Sequence, residues 1–338
     1  MERLWLTAQE VGQERRPGPV AVAVGTFDGV HLGHRYLLRG LVRKARAEGV
    51  PAVVLTLEPH PLEVLDPPRA PARLTLPWEK ADQLEALGID RLVTVRFDLE
   101  LAGTAPLDFA DRILGEELGA RYLHVGYNFT FGAGGAGRVS HLQGWGRRQG
   151  VEVRVQEAVA VRGMTVSSTA IREALAAGRV GLARHLLGRP YAVCGEVVAG
   201  DGRGRQLGFP TANLSWPRGK VLPAPGVYAV WARALEGGQS WPGMANFGFR
   251  PTFGGQSPSL EVHLFGFRGD LYGAGVQVHF WRRLRAEHRF ATAGDLVRQL
   301  QADAERARHI LGVGAADGQV VQAPDVYRDG ALCYNRRD

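Results

Sequence analysis

Long hydrophobic runs are missing from this chain, and no apolar stretch approaches the ~20 residues that span a bilayer as a helix. A membrane partner is therefore not expected. Cysteine is almost absent too: Cys194 and Cys333 stand far apart and in no ligand-spaced cluster, which argues against a disulfide framework and a thiolate zinc site. Two familiar signatures are also lacking. Without HExxH there is no zincin helix, and without GxxxxGK[ST] there is no Walker loop. Acids interrupt the N-terminal MERLWLTAQEVGQERR, which has no unbroken apolar core and so does not read as a secretory signal. The expected location is the cytoplasm.

What is present is a globular composition, 45% hydrophobic and 22% charged, over 338 residues, a length that suits two domains better than one core. The net charge of +7 is arginine scattered along the chain, not a basic run, so small polyanions such as nucleotides explain it as well as nucleic acid does.

The first half alternates in period. VAVAV at 20–24 has no polar face, as in a strand buried on both sides of a parallel sheet. Leu37, Leu38, Leu41, Val42 and Ala45 then recur at helical spacing up to Gly49, and AVVLTL at 52–57 is a second buried strand. A helix from Trp78 to Leu87, the strand RLVTV, a helix capped by Asp108 and ended by Gly119, and the strand RYLHV continue the pattern of a doubly wound α/β fold. SSTAIREALAAG offers Ser168 or Thr169 as N-cap, and Gly188 and Pro190 mark a break. Beyond it GVYAVWA, EVHLF and VQVHFW alternate with period two among Gly and Pro turns, as in an antiparallel barrel or sandwich, closed by a helix from an Asp295 cap to Leu311. The expected division is 1–187, 188–312 and a loosely ordered tail, 313–338.

GTFDGVHLGH at 25–34 lies between the first strand and the first helix, where ligands bind in open α/β sheets. Helix amides and glycines there admit a phosphate, and histidines add donors; a metal or a plain tight turn are the alternatives. Gly132, Gly134 and Gly137 form GxGxxG with Glu157 at the spacing of a ribose-binding acid. NFTF intervenes after the preceding strand, however, and RVSHLQGW is a poor helix start, so these glycines are read as a mobile loop. In the second half GEVVAGDGRGRQLGFPTANL packs glycines around PTAN, where the Thr211 hydroxyl and Asn213 carbonyl are hard oxygen ligands suited to magnesium. In EVHLF the alternation sets Val262 and Leu264 on one face and Glu261 and His263 on the other.

GTFDGVHLGH resembles the nucleotidyltransferase signature of bacterial bifunctional riboflavin kinase/FAD synthetases, and LEPHP at 57–61, VGYNFTFG at 125–132 and VSSTAIR at 166–172 follow in that family's order. GFPTAN, APGVYAV, NFGFRPTF, EVHLFGF, DLYG and RAEHRF resemble its kinase half, a six-stranded barrel. The resemblance implies that ATP is gripped in the first domain by Gly25, Phe27, His31, His34, Ser168, Thr169 and Arg172, with His31 stabilising charge as pyrophosphate leaves. It implies flavin contacts at His60, Asn128 and Arg285, with Asn128 also a catalytic candidate beside His31 and Asp28 divided between site and turn. In the kinase half it implies ATP at Gly200, Gly204, Arg205, Gly208, Thr211 and Asn213, with magnesium at the last two. Glu261 would be the general base, and Asn246 reads more simply as a turn residue. The implied partners are riboflavin, FMN and ATP, not nucleic acid. A rival reading keeps the first domain but makes the barrel a nucleic-acid-binding module. Two departures stand out: family members often carry a basic residue where Gly135 or Ala136 stands, and Asp where Asn128 stands.

Overall fold

A computed structural model describes residues 1–10, 18–200, 202–252 and 255–314, and the chain separates into two units, Met1–Val166 and Ser167–Asp338. Most of the tail expected at 313–338, Cys333 included, lies outside the described residues.

The first unit is built on the strands β1 (Glu2–Leu6), β2 (Val20–Val24), β3 (Ala52–Glu58), β4 (Arg91–Arg96) and β5 (Ala120–Gly126). A short ribbon, β6 (Thr130–Phe131) and β7 (Gly137–Arg138), precedes β8 (Glu152–Gln156), and a second, β9 (Ala160–Val161) and β10 (Met164–Thr165), follows it. Six of these form a wholly parallel sheet in the order β1-β4-β3-β2-β5-β8. The apolar run of β2 is explained by its two neighbouring layers. Val20, Val22 and Val24 enter one core with Val53, Leu55 and Leu123, while Ala21 and Ala23 enter another with Leu37, Leu38, Leu41 and Leu84.

The helices of this unit are α1 (Leu32–Glu48), α2 (Pro61–Leu65), α3 (Pro77–Ala86), α4 (Leu99–Ala102), α5 (Pro106–Phe109) and α6 (Val139–Gln149). Gly49 ends α1 at φ 67°, a left-handed turn that favours glycine. From β2 the chain runs outward one way through β3 and β4, then returns to place β5 on the other side of β2, so the strand order reverses beside β2. Open sheets bind ligands at such a reversal, outside the carboxyl ends of the strands.

Local expectations need correction in several places. Asp108 is not a cap: Pro106 fills the first helical position after Ala105, and the helix widens into a π-helical stretch, Ala110–Glu117. The Gly132–Gly137 segment is a ribbon turn, with Gly132 so close to Pro106 that a Cβ would lie 2.7 Å from its Cα. RVSHLQGW does start a helix, α6, whose amide at Arg138 is met by the His141 side chain three residues on. That cap lies outside the usual Ser/Thr/Asp/Asn set, which is why propensity misses it. The edge strands β1 and β8 also go beyond the expected elements.

The second unit opens with α7 (Ser168–Ala176) and α8 (Val180–Leu187). Ser167, not Ser168 or Thr169, is the N-cap of α7, its hydroxyl accepting the Ala170 amide at 3.1 Å. The division between units thus falls before these helices, earlier than the Gly188–Pro190 break, because they pack with the C-terminal half of the chain: the Ala224 amide donates to the Leu175 carbonyl at 2.9 Å.

The unit continues with β11 (Tyr191–Val198), the short helix α9 (Arg203–Gln206), β12 (Ala212–Ser215), β13 (Gly226–Ala234), β14 (Ser240–Thr252), β15 (Gly255–Leu264) and β16 (Gly275–Arg285). The six strands close as β11-β12-β15-β14-β13-β16, an antiparallel barrel, and closure leaves no unpaired edge. Tyr228 and Phe280 meet edge to face at 5.3 Å and are fully buried. The last helix, α10 (Ala293–Leu311), lays Ala304 and Ala307 on Val227, Ala229, Met244, Phe265 and Leu284. Its cap is Thr292, whose hydroxyl accepts the Asp295 amide at 3.1 Å; Asp295 stands inside the first turn instead. Among the described residues no helix is long and apolar enough to cross a membrane.

Candidate active sites

In the first unit the chain leaves β2 through a contorted loop. Phe27 (φ 48°), Gly29 (φ 85°) and Val30 (φ 37°) all take left-handed backbone, which for a β-branched valine is strained and held only by its surroundings. Those surroundings are visible. The Phe27 ring is buried and lies over Gly25, where a Cβ would stand 3.3 Å from it, so Phe27 holds the loop through the core. The Asp28 carboxylate, 8% exposed, accepts from the Leu74 amide (3.1 Å), the Thr75 amide (2.9 Å) and the Thr75 hydroxyl (3.1 Å). These contacts give Asp28 the work of shaping the turn.

The loop ends at His31, the N-cap of α1. Its Nδ1 accepts the His34 amide at 3.2 Å, and the two imidazoles stack with centroids 3.6 Å apart. Gly33 makes room: a Cβ there would lie 3.1 Å from the His31 ring. With Nδ1 engaged as an acceptor, the neutral ring carries its proton on Nε2 and presents a donor; the tautomer is assigned from the hydrogen bond. The first turn of α1 holds no acidic side chain, so nothing on the helix itself neutralises its positive end.

Neighbouring strands add to the same sheet edge. β3 runs into His60, which caps α2 by accepting the Leu62 amide on Nδ1 at 3.2 Å, and β5 runs into the exposed Asn128. Since β3 and β5 flank β2, the parallel sheet brings the His31 loop, His60 and Asn128 to its carboxyl edge. No basic side chain stands at Gly135 or Ala136, but the guanidinium of Arg138 folds back to donate to the Gly135 carbonyl. Position-by-position reading misses this. It also misses Lys80 and Arg73, which look in sequence like surface cations but converge on Glu58.

Ser168, Thr169 and Arg172 stand in the first turn or so of α7, in the second unit, with Thr169 exposed and the other two half-buried.

The barrel site lies on the flank of the strands. Asn213 on β12 and Asn246 on β14 both stand opposite Glu261 on β15, so the three side chains project from one face in a row. Val227 pairs with Asn246 and with Arg285, extending the row across β13 to β16. The expected alternation holds: Leu260, Val262 and Leu264 are buried, while Glu261 and His263 are half-buried on the other face. Thr211 donates its hydroxyl to Glu261 Oε2 at 3.2 Å.

Glycines fit this cluster tightly. A Cβ on Gly200 would stand 2.1 Å from the Asn213 amide nitrogen, and one on Gly204 would stand 2.4 Å from the Phe209 carbonyl oxygen and 3.3 Å from the Thr211 hydroxyl. Gly208 turns at φ 81°, and Arg205 is exposed. His263, on the same face as Glu261, meets the Pro210 carbonyl through Nδ1 at 2.8 Å; burial lowers its pKa, favouring the neutral ring that donates there. Arg285 is tied to Asp303 of α10 (2.8 Å), itself held by Gln299 at 3.0 Å.

The row offers oxygen donors from Thr211, Asn213 and Glu261. Hard cations such as magnesium take few protein oxygens and complete their shell with phosphates and water, so the donor set fits that ion. Among the described residues no three His, Cys, Asp or Glu side chains form a metal cluster.

Comparisons with known proteins match both halves of the chain. A family model described as FAD synthetase matches residues 13–170, and one described as riboflavin kinase matches residues 187–311. The bifunctional riboflavin kinase/FMN adenylyltransferase of Escherichia coli K12 is 42% identical over 292 residues, covering 86% of this chain and 93% of the relative. Its Bacillus subtilis counterpart is 37% identical, covering 85% and 90%. A crystal structure of a protein named macrolide-efflux protein from Streptococcus pneumoniae superimposes with a TM-score of 0.82 at 31% identity, covering 90% of this chain and 99% of that one.

Proposed function

The chain belongs to the family of bifunctional riboflavin kinase/FMN adenylyltransferases, and from that premise we propose how its own residues divide the two reactions. The chain phosphorylates riboflavin with ATP to give FMN and transfers AMP from a second ATP to FMN, giving FAD and pyrophosphate. Flavin is substrate and product throughout, so no electron transfer is involved.

The kinase step belongs to the barrel row. The Glu261 carboxylate takes the proton of the ribityl 5′-hydroxyl as its oxygen attacks the γ-phosphorus and ADP leaves. Thr211 orients that carboxylate by donating to it, and Gly200, Gly204 and Gly208 let the Arg205-bearing loop approach the nucleotide phosphates with backbone amides. Arg285 and Asn246 border the flavin end. Thr211 and Asn213 would hold magnesium, which when bound neutralises phosphate charge. The observation that carries this assignment is the Asn213–Glu261–Asn246 row beside Thr211.

Adenylyl transfer needs no enzyme nucleophile. An FMN phosphate oxygen attacks the α-phosphorus of ATP, and the protein supplies position and charge stabilisation. His31 donates from Nε2 to the phosphates as pyrophosphate departs, and His34 and the α1 amides, reached past Gly25, face the same anion. Ser168, Thr169 and Arg172 are assigned to the nucleotide, His60 and Asn128 to the flavin. Phe27 contributes as the buried ring under the loop and through its backbone. The reading is supported by the His31 cap and its acid-free helix start. Both reactions are proposed to run in the cytoplasm, where ATP is available, with small molecules and not nucleic acid as partners.

Chromatography of protein incubated with riboflavin, ATP and magnesium tests the whole assignment. FMN should appear first and FAD after it; absence of both would defeat it.

A further inference from the structure

Beneath the His31 loop lies a cluster of charge that the two reactions do not require by themselves. Lys80, projecting from α3, is 5% exposed, yet its ammonium is fully engaged: it donates to the Thr26 carbonyl (3.1 Å), the Thr56 hydroxyl (3.3 Å) and Glu58 Oε1 (2.7 Å). An ammonium has three donors, and all have partners. Glu58, 8% exposed, gives its other oxygen to Arg73 at 2.8 Å, and Arg73 reaches Glu63 at 2.6 Å and 3.0 Å. Glu63 accepts the His60 backbone amide at 3.3 Å, one half of the capping box that starts α2. Two cations and two carboxylates therefore form a balanced chain from Thr26, within the nucleotide loop, to His60.

Burying such ions is a weak way to gain stability, because apolar residues of like volume often do as well or better. What the network does supply is a fixed distance between two loops that leave neighbouring strands. The same α3 approach is clamped again by Asp28 holding Leu74 and Thr75.

The geometry points to Lys80 as a positioning residue for adenylyl transfer: it locks the loop that carries His31 to the His60 helix, so that ATP and FMN are presented in one register. This rests on the assignment of that sheet edge to the adenylyltransferase reaction. Lys80 touches neither substrate; it acts through Thr26 on one side and through Glu58, Arg73 and Glu63 on the other. A misplacement of reacting groups by about 1 Å can cost ~10²-fold, which sets the scale expected.

The test is steady-state kinetics on the full chain, with each step measured separately. Lys80→Met should lower kcat/KM for FMN to FAD by roughly 10²-fold, in both the ATP and the FMN titrations, while riboflavin to FMN stays within about twofold as an internal control of folding. Glu63→Gln, at the partly exposed His60 end, should raise KM for FMN several-fold and leave KM for ATP unchanged. A purely structural network would lower the melting temperature of both variants and leave kcat/KM for ATP and for FMN in FAD formation unchanged, and that result overturns the proposal. Should Lys80→Met fail to fold, Glu63→Gln decides the matter by the same criterion. If the unaltered chain makes FMN but no FAD, the adenylyltransferase assignment fails instead.

Discussion

The two units build their candidate sites by opposite constructions. In the α/β unit the groups stand where strands have ended: His31, His60 and Asn128 are each delivered by a loop at the carboxyl edge of the sheet. In the barrel they stand in mid-ladder, Asn213, Glu261 and Asn246 being set side by side by strand register alone. A loop site depends on what ties its loops down, which is why that unit carries Asp28, the Val30 strain and the Lys80 network. A ladder site is tied down already by its backbone hydrogen bonds, and the effort goes into fitting the glycine loop over it.

The sharpest way to break the comparison is to remove one charged group from each side. Glu261→Gln should reduce FMN formation by ~10² to 10⁴-fold, the usual worth of a general base, while FMN supplied directly still becomes FAD. Loss of both activities together would mean the units do not work independently. His31→Ala should do the reverse by ~10² to 10³-fold, the scale for losing one donor to developing charge, and chromatography should show FMN accumulating.

A smaller effect probes the fit of the loop. Gly204→Ala places a Cβ 2.4 Å from the Phe209 carbonyl, a backbone atom that cannot swing aside, so the loop must shift. A loss of roughly 10²-fold in riboflavin kinase kcat/KM is expected, with FAD formation unaltered. Wild-type kinase kinetics would show that the glycine is not needed for close approach.

The smallest effect compares the two frameworks. Burial pushes the His124 pKa down to about 4 in the sheet and that of His279 down to about 3 in the barrel. In each case the unfolded chain, with an ordinary value near 6.5, takes up the proton first. Stability is therefore complete above that pH and falls as the pH drops from 6.5 toward 4, the barrel continuing to lose down to about 3. His124→Asn should flatten that decline for the α/β unit only, measured by hydrogen exchange of peptides from each unit at pH 7, 5 and 4. An unchanged slope would remove His124 as its source.

How much of this was legible differs between the units for the same physical reason. β2, α1 and β3 were readable because a run without polar alternation and a helical period are each imposed by burial on particular faces. The loop motif was readable because contiguous residues make it. β1 and β8 were not, since edge strands have fewer buried positions and a weaker pattern. Glu261 and Thr211 could be named, but their closeness is a matter of register, which a separation of 50 residues in sequence does not announce. Lys80 was hidden most completely, for a buried lysine on an amphipathic helix is written like a surface one. The caps at Ser167 and Thr292 were each misplaced by a short distance because several good capping residues compete there.

The packing seam between Val166 and Ser167 has a consequence for anyone wishing to take the molecule apart. α7, which opens with Ser168, Thr169 and Arg172, leans on the barrel's own unit: Leu175 receives the Ala224 amide, and Gly178 sits so near the Arg283 side chain that a Cβ would lie 2.8 Å away. A cut at 187 would keep those three residues in the adenylylating piece but strip α7 and α8 of the surface they rest on. A cut at 166 would preserve the packing and leave those three residues, proposed above to bind the nucleotide, in the barrel piece. On the assignment proposed above, the two activities are expected to separate by changing single side chains, and not by a cut at either point.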